Sequence, residues 1–239
     1  MKGLPVSDAS PADEPYTLTA PTQLFPLTRH LSYWLTPFLA RTPLTPNQIT
    51  ALSLAAGLAG AGCFAAGRWD WSVAGGLLLI LCYTLDNCDG EIARLKRMSS
   101  EWGAHFDDLV DWMVDSAFFA ALGYGTWAAT GSVIWFWLGL AATFGATLDY
   151  VIDIVLYARS KGDADRKTRE EEATDIRRPE DWIDWLIYIF HKLSRADFCV
   201  IVFALALVDF AWILLPAGAI GAQAYWVTDL FKRARGWHT

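Results

Sequence analysis

Residues 85–115 read LDNCDGEIARLKRMSSEWGAHFDDLVDWMVD and carry six aspartates and two glutamates. Asp86 and Asp89 are three apart, and Asp107 and Asp111 are four apart. Either spacing puts both carboxylates of a pair on one helical face. The stretch between the pairs is short, so their helices are expected to be antiparallel neighbours whose acidic faces can meet. Four converging carboxylates repel one another. Hard divalent cations relieve that repulsion and prefer oxygen ligands. Two carboxylates from each helix suit a one- or two-metal site, and such sites stabilise phosphoryl displacement. The alternative is ordinary helix-end charge, offset by Arg94, Lys96 and Arg97. It accounts for Glu91, Glu101 and Asp108, and accounts poorly for four facing aspartates.

The elements that position these residues are apolar. The chain has 239 residues, 54% of them hydrophobic. Residues 47–67, 71–85 and 126–148 contain no charge. A bilayer core needs ~20 mostly apolar helical residues, and three such runs imply an all-α, polytopic membrane bundle. Six spans are expected, at about 46–67, 70–97, 103–127, 131–158, 196–213 and 215–232. Thr45 is a candidate N-cap for the first, with Pro46 at its first helical position. Residues 1–21 are polar and Pro-rich and read as a tail, with no apolar signal-peptide segment. Residues 22–42 read as an amphipathic helix lying in the membrane interface. The six-span catalytic domain would cover 43–239. The charge density of 158–181 keeps it out of the bilayer, within a cytoplasmic segment at 158–195, and residues 182–193 read as a second interfacial helix.

With six spans, both termini, the 97–103 turn and 158–195 share one side. Of the 19 Lys and Arg residues, all but Arg68 fall on that side, which the positive-inside rule makes cytoplasmic. A prokaryotic inner membrane is the expected location. The formal net charge of −7 and the lack of a basic, aromatic-interleaved surface argue against a nucleic-acid partner. Cys63, Cys82, Cys88 and Cys199 form no CxxC pair and read as small buried hydrophobes.

Asp86-Asn-Cys-Asp89-Gly90-Glu-Ile-Ala93-Arg94, eight residues, Gly103, three residues, Asp107, three residues, Asp111 matches D-x2-D-G-x2-A-R-x8-G-x3-D-x3-D at every fixed position. In this the chain resembles the CDP-alcohol phosphotransferases, as it does in overall length, six expected spans and the PNQIT opening of the first span. The resemblance covers most of the chain after about residue 25. It implies that Asp86, Asp89 and Asp107 hold Mg2+ or Mn2+ (two ions) and the diphosphate of a CDP-linked lipid or alcohol donor. It makes Asp111 both a metal ligand and the general base for a hydroxyl acceptor, with CMP leaving. Phosphatidyl transfer from CDP-diacylglycerol, in phospholipid biosynthesis, is the simplest case. It also implies a homodimer among membrane lipids. Gly90, Ala93, Arg94 and Gly103 would contact the nucleotide and diphosphate, as would Asn47 and Thr50, for which a cap-and-turn role stays open.

By analogy with relatives whose acceptor is a phosphorylated alcohol, Arg195 is a candidate for acceptor phosphate; the alternative is an interfacial anchor. Asp149 and Asp153 repeat the four-residue spacing; they line the acceptor pocket or pair with Arg159 or Arg195. Inositol-phosphate-using relatives often carry Arg directly after the last motif aspartate. Trp112 stands there, which puts that acceptor in doubt. Two other readings place the same acids differently. An intramembrane prenyltransferase would have more spans and more widely separated motifs. A divalent-cation carrier would continue its acidic residues across the bilayer.

Overall fold

A computed structural model describes residues 16–21, 26–159 and 197–236. Among these residues all regular structure is helical. The elements are α1 (Leu27–Ala40), α2 (Pro46–Ala65), α3 (Trp69–Leu95), α4 (Glu101–Thr130), α5 (Ile134–Arg159), α6 (Phe198–Leu207), a single 3-10 turn (Ala211–Ile213) and α7 (Leu214–Gly236). A helix therefore stands at each of the six expected spans. The segment read as a second interfacial helix, 182–193, lies outside the described residues, as does Arg195.

Three helical stretches, Pro46–Ala65, Trp69–Leu95 and Ile134–Val155, are long and apolar enough to cross a membrane, and Phe198–Leu207 and Ala211–Gln223 are shorter apolar helices. The expected fifth span, 196–213, is interrupted: α6 stops at Leu207, Asp209 takes a positive φ of 62°, and the 3-10 turn leads into α7. Large apolar side chains remain outside, among them Leu77 and Leu81 on α3 and Phe144 and Ile154 on α5. A lipid-facing surface has this character, because hydrocarbon solvates such groups as well as a protein core does.

Local signals explain the helix ends. Thr45 caps α2 by accepting from the Gln48 backbone N–H, while the Gln48 side chain accepts from the Thr45 N–H, with Pro46 inside the first turn. This is the reciprocal capping box. Ser100 caps α4 by accepting from the Gly103 N–H at 3.0 Å, and α4 ends at Gly131, whose φ of 73° suits a residue without Cβ.

α2 packs on α3 and α4, α4 on α5, α5 on α7, and α3 on both α6 and α1. Small residues permit the close crossings. A Cβ on Gly75 would lie 2.7 Å from the Gly60 carbonyl oxygen, and one on Gly123 would lie 2.9 Å from Gly139 Cα. The main core joins Phe64, Leu79, Cys82, Val110, Val114, Phe118, Cys199, Val202 and Leu215. All four cysteines are free and buried, as the sequence suggests.

α1 is amphipathic, and its polar side faces the protein. Thr28, Ser32 and Thr36, each four residues from the next, are fully buried, while Leu31, Trp34 and Phe38 are exposed. No side chain of its own caps it, since Pro26 occupies the N-cap position. Asp197, at the start of α6, does so from across the chain. It accepts from the Leu27 N–H at 2.9 Å and the Thr28 N–H at 3.2 Å, and it is only 2% exposed. Asp197→Ala should therefore lower stability by roughly 1–2 kcal/mol. Thermal melting in detergent should show a fall of roughly 2–8 °C, with Asp197→Asn in between.

Candidate metal and nucleotide centre

α3 and α4 bring the motif aspartates together at one end of the bundle. Asp86, Asp89 and Asp107 each offer a carboxylate oxygen, and these oxygens lie within 4.8 Å of one another. Asp89 is buried and accepts from Thr50 Oγ1 at 2.5 Å. Asp86 Oδ1 and Asp107 Oδ1 are buried without a hydrogen-bond partner among the described residues. No described Lys or Arg lies within ion-pair distance of the three acids. Burying unpaired carboxylate oxygens beside one another is unfavourable, by several kcal/mol for an uncompensated charge. A divalent cation with its preference for oxygen ligands relieves this strain, so the residues present fit such an ion. Asp111, one turn beyond Asp107, is not among the three closest carboxylates; it is exposed and within electrostatic range of Asp86 and Asp107.

Gly90 and Arg94 continue along α3 from Asp86 at four-residue steps, on one face. A Cβ on Gly90 would meet no more than the Arg94 guanidinium, at 3.5 and 3.8 Å. The space above the Gly90 backbone is therefore open and edged by a cation. Gly103 faces α2, where an added Cβ would lie 3.3 Å from Asn47 Oδ1 and 3.1 Å from Ser100 Oγ. Ala93 is half-buried on the same end of α3. The structure thus brings Asn47, Thr50, Gly90, Ala93, Arg94 and Gly103 to the aspartate end. Thr50 is engaged with Asp89.

Two supporting interactions were not legible from the motif. Glu91, read above as helix-end charge, is buried and accepts from Ser32 Oγ at 2.9 Å and Thr36 Oγ1 at 2.5 Å. It fastens α1 to α3 two residues from Asp89. Lys96 Nζ donates to the Thr42 and Leu44 carbonyls, each at 2.9 Å, holding the α1–α2 connection against the end of α3. The four-residue hydroxyl spacing on α1 was the available sequence signal for the Glu91 contact.

Deeper along α4, Tyr83 Oη donates to Asp115 Oδ1 at 3.2 Å. Trp112 is turned onto α5: its Nε1 donates to Thr147 Oγ1 at 3.2 Å, and its ring stacks on Tyr150 at 5.1 Å. His105 packs edge-on against Tyr157 at 4.6 Å. Asp153 lies one turn before Tyr157 and is half-buried, so its turn of α5 runs beside the start of α4.

The fold and these residues define a class: helical membrane proteins with a cluster of carboxylates at one end of the bundle. Residues 43–228 match the family model for CDP-alcohol phosphatidyltransferase, and the chain belongs to that family. It is 39% identical over 128 residues to "Bifunctional IPC transferase and DIPP synthase" of Rubrobacter xylanophilus, a match covering 53% of this chain and 26% of that protein. It is 36% identical over 95 residues to "Phosphatidylinositol phosphate synthase" of Streptomyces avermitilis, covering 39% of this chain and 37% of that one. The chain thus spans well under half the length of these relatives. The fold is similar to that of Mycobacterium tuberculosis phosphatidylinositol phosphate synthase solved with CDP-DAG bound. There the TM-score is 0.50 at 22% identity, over 82% of this chain and 91% of the other.

Because the acids repel one another unaided, Asp86→Asn should raise the melting temperature of metal-free protein by roughly 2–4 °C. It should also remove the upward shift that Mg2+ or Mn2+ produces in the wild-type protein. Differential scanning fluorimetry with and without chelator reads both effects.

Proposed function

We propose that the protein is an integral membrane transferase that moves phosphatidyl from CDP-diacylglycerol to a hydroxyl acceptor, releasing CMP. The observation that carries this reading is the convergence of Asp86, Asp89 and Asp107 beside an open backbone at Gly90 and the Arg94 guanidinium. This is a diphosphate-shaped arrangement: oxygen ligands for metal, then close backbone access, then a planar cation whose fork matches phosphate oxygens. The relative solved with CDP-DAG bound supports the choice of donor.

Asp86, Asp89 and Asp107, with Asp111, would hold Mg2+ or Mn2+, two ions per site. When bound, such ions offset charge on the diphosphate and on the leaving nucleotide. Asp111 takes the proton of the acceptor hydroxyl, as its exposed position allows. The acceptor oxygen forms a bond to the phosphorus nearer the lipid, and the bond from that phosphorus to the CMP oxygen breaks. Arg94 steadies the diphosphate, and Thr50 keeps Asp89 in the orientation its ligand role requires. Asp153, beside the start of α4, lines the acceptor side, and Arg195 remains the candidate for an acceptor phosphate.

The names of the curated relatives concern inositol lipids. Trp112, bound to Thr147 and Tyr150, leaves no cation at the position where inositol-phosphate-using relatives often have one. We therefore assign the acceptor as a hydroxyl compound without naming it. The chain would cross the bilayer six times, with both termini and the centre on the cytoplasmic side, and would work as a homodimer.

Purified protein should release CMP from CDP-diacylglycerol with Mg2+ or Mn2+ and not with chelator. Asp111→Asn should reduce the rate by about 10²–10⁴ while thermal melting shows the protein still folded. Near-normal turnover in that variant would remove Asp111 as the base. Metal uptake into proteoliposomes without CMP release would favour a cation carrier instead.

A further inference from the structure

Arg94 is exposed at the end of α3. A long side chain there is expected to sample many rotamers, and ordering it costs up to about 2 kcal/mol of entropy in general. Its guanidinium is nevertheless folded back along the helix, toward the N-terminal turn that holds Gly90, the direction helical side chains favour. The other cations of this helix end differ. Lys96 is spent on the Thr42 and Leu44 carbonyls, and Arg97 lies in the left-handed turn with φ 55°. What covers Arg94 is Tyr16, from the segment 16–21 that precedes α1. The Arg94 Cζ sits over the Tyr16 ring at 5.1 Å from its centroid.

This contact has a directional consequence. A cation over an aromatic ring uses the face of the guanidinium. Its N–H donors lie in the guanidinium plane and point outward from its rim. Tyr16 can therefore restrict Arg94 without consuming the donors that a phosphate needs. An acidic partner would fix the same side chain by occupying those donors.

We propose that Tyr16 is a positioning residue for the donor site: its ring holds the Arg94 guanidinium beside Gly90 so that diphosphate meets an ordered fork whose donors have no hydrogen-bond partner among the described residues. This rests on the reading of the centre as a CDP-donor site. It adds a residue far from the motif, in a stretch with no chemistry of its own. Tyr16 acts through Arg94 and has no contact with the reacting atoms in this scheme.

The test uses full-length protein in detergent with Mg2+. CDP affinity is measured by calorimetry, and the KM and kcat for CDP-diacylglycerol by CMP release. Tyr16→Leu should weaken CDP binding and raise donor KM by roughly two- to fivefold, the range expected for an exposed cation–π contact. Its kcat should stay within about twofold. Tyr16→Phe, which keeps the ring, should restore both constants. In an Arg94→Gln background, Tyr16→Leu should cause no further loss, an outcome that a general structural role of the segment would not give. Unchanged CDP affinity in Tyr16→Leu, with Arg94→Gln impaired, would overturn the proposal and leave the donor-site reading standing. Tighter binding in Tyr16→Leu would overturn it by making the ring a competitor. Failure of the wild-type protein to bind CDP or release CMP would remove the donor-site reading, and this inference with it.

Discussion

Like charges on two adjacent helices are held at a distance their repulsion opposes, and the bundle is arranged around that constraint. Asp86 and Asp89 on α3 face Asp107 on α4 across less than 5 Å. The helices are held together by close side-chain packing just beyond the acids, which opposes the repulsion. Cys82, Val110, Val114 and Phe118 are almost completely buried in the shared core. α2 completes the wedge. Its Gly57 passes so near that a Cβ would lie 2.5 Å from Val114 and 2.9 Å from Cys82, and Ser53 Oγ donates to the Cys82 carbonyl at 3.0 Å.

The polar contacts of α3 are divided between α2 and α1. α2 supplies Thr50 to Asp89, and α1 supplies Ser32 and Thr36 to Glu91. Asp89 and Glu91 are two residues apart and so leave α3 in different directions, one toward the acid cluster and the other toward α1. A carboxylate with two hydroxyl donors can be buried without a cation. Glu91 has such donors. Asp86 and Asp107 leave oxygens unmet, which is why the cluster and not Glu91 has the character of a metal centre.

Much of this was readable from residue spacing. The three- and four-residue intervals among Asp86, Asp89, Asp107 and Asp111 anticipated two acidic faces, and Thr45-Pro46 anticipated the start of α2 within a residue. Apolar runs anticipated the three helices long enough to cross a membrane, while the expected fifth span breaks at Leu207, before a positive-φ Asp209 that no apolar run foretold. What escaped were contacts between residues distant in sequence. Asp197 caps α1 across 170 positions, and no window of neighbouring residues contains both partners. Glu91 looked like one more acid in an acidic stretch, since its partners lie 55 and 59 residues away. Thr50 was read toward a nucleotide and is found donating to a carboxylate. The interfacial helix was expected to be amphipathic, but the identity of its buried side depends on the surrounding medium. In water the apolar stripe goes inward; beside hydrocarbon it can go outward.

That inversion ties α1 to two solvents at once. Its hydroxyl rungs Ser32 and Thr36 are fixed to Glu91, while Trp34 and Phe38 are 72% and 64% exposed. An amphiphile around the molecule would cover these rings and share in the helix's anchorage. Removing such an amphiphile would loosen α1, and with it the turn of α3 that carries Glu91, without breaking a single intramolecular bond.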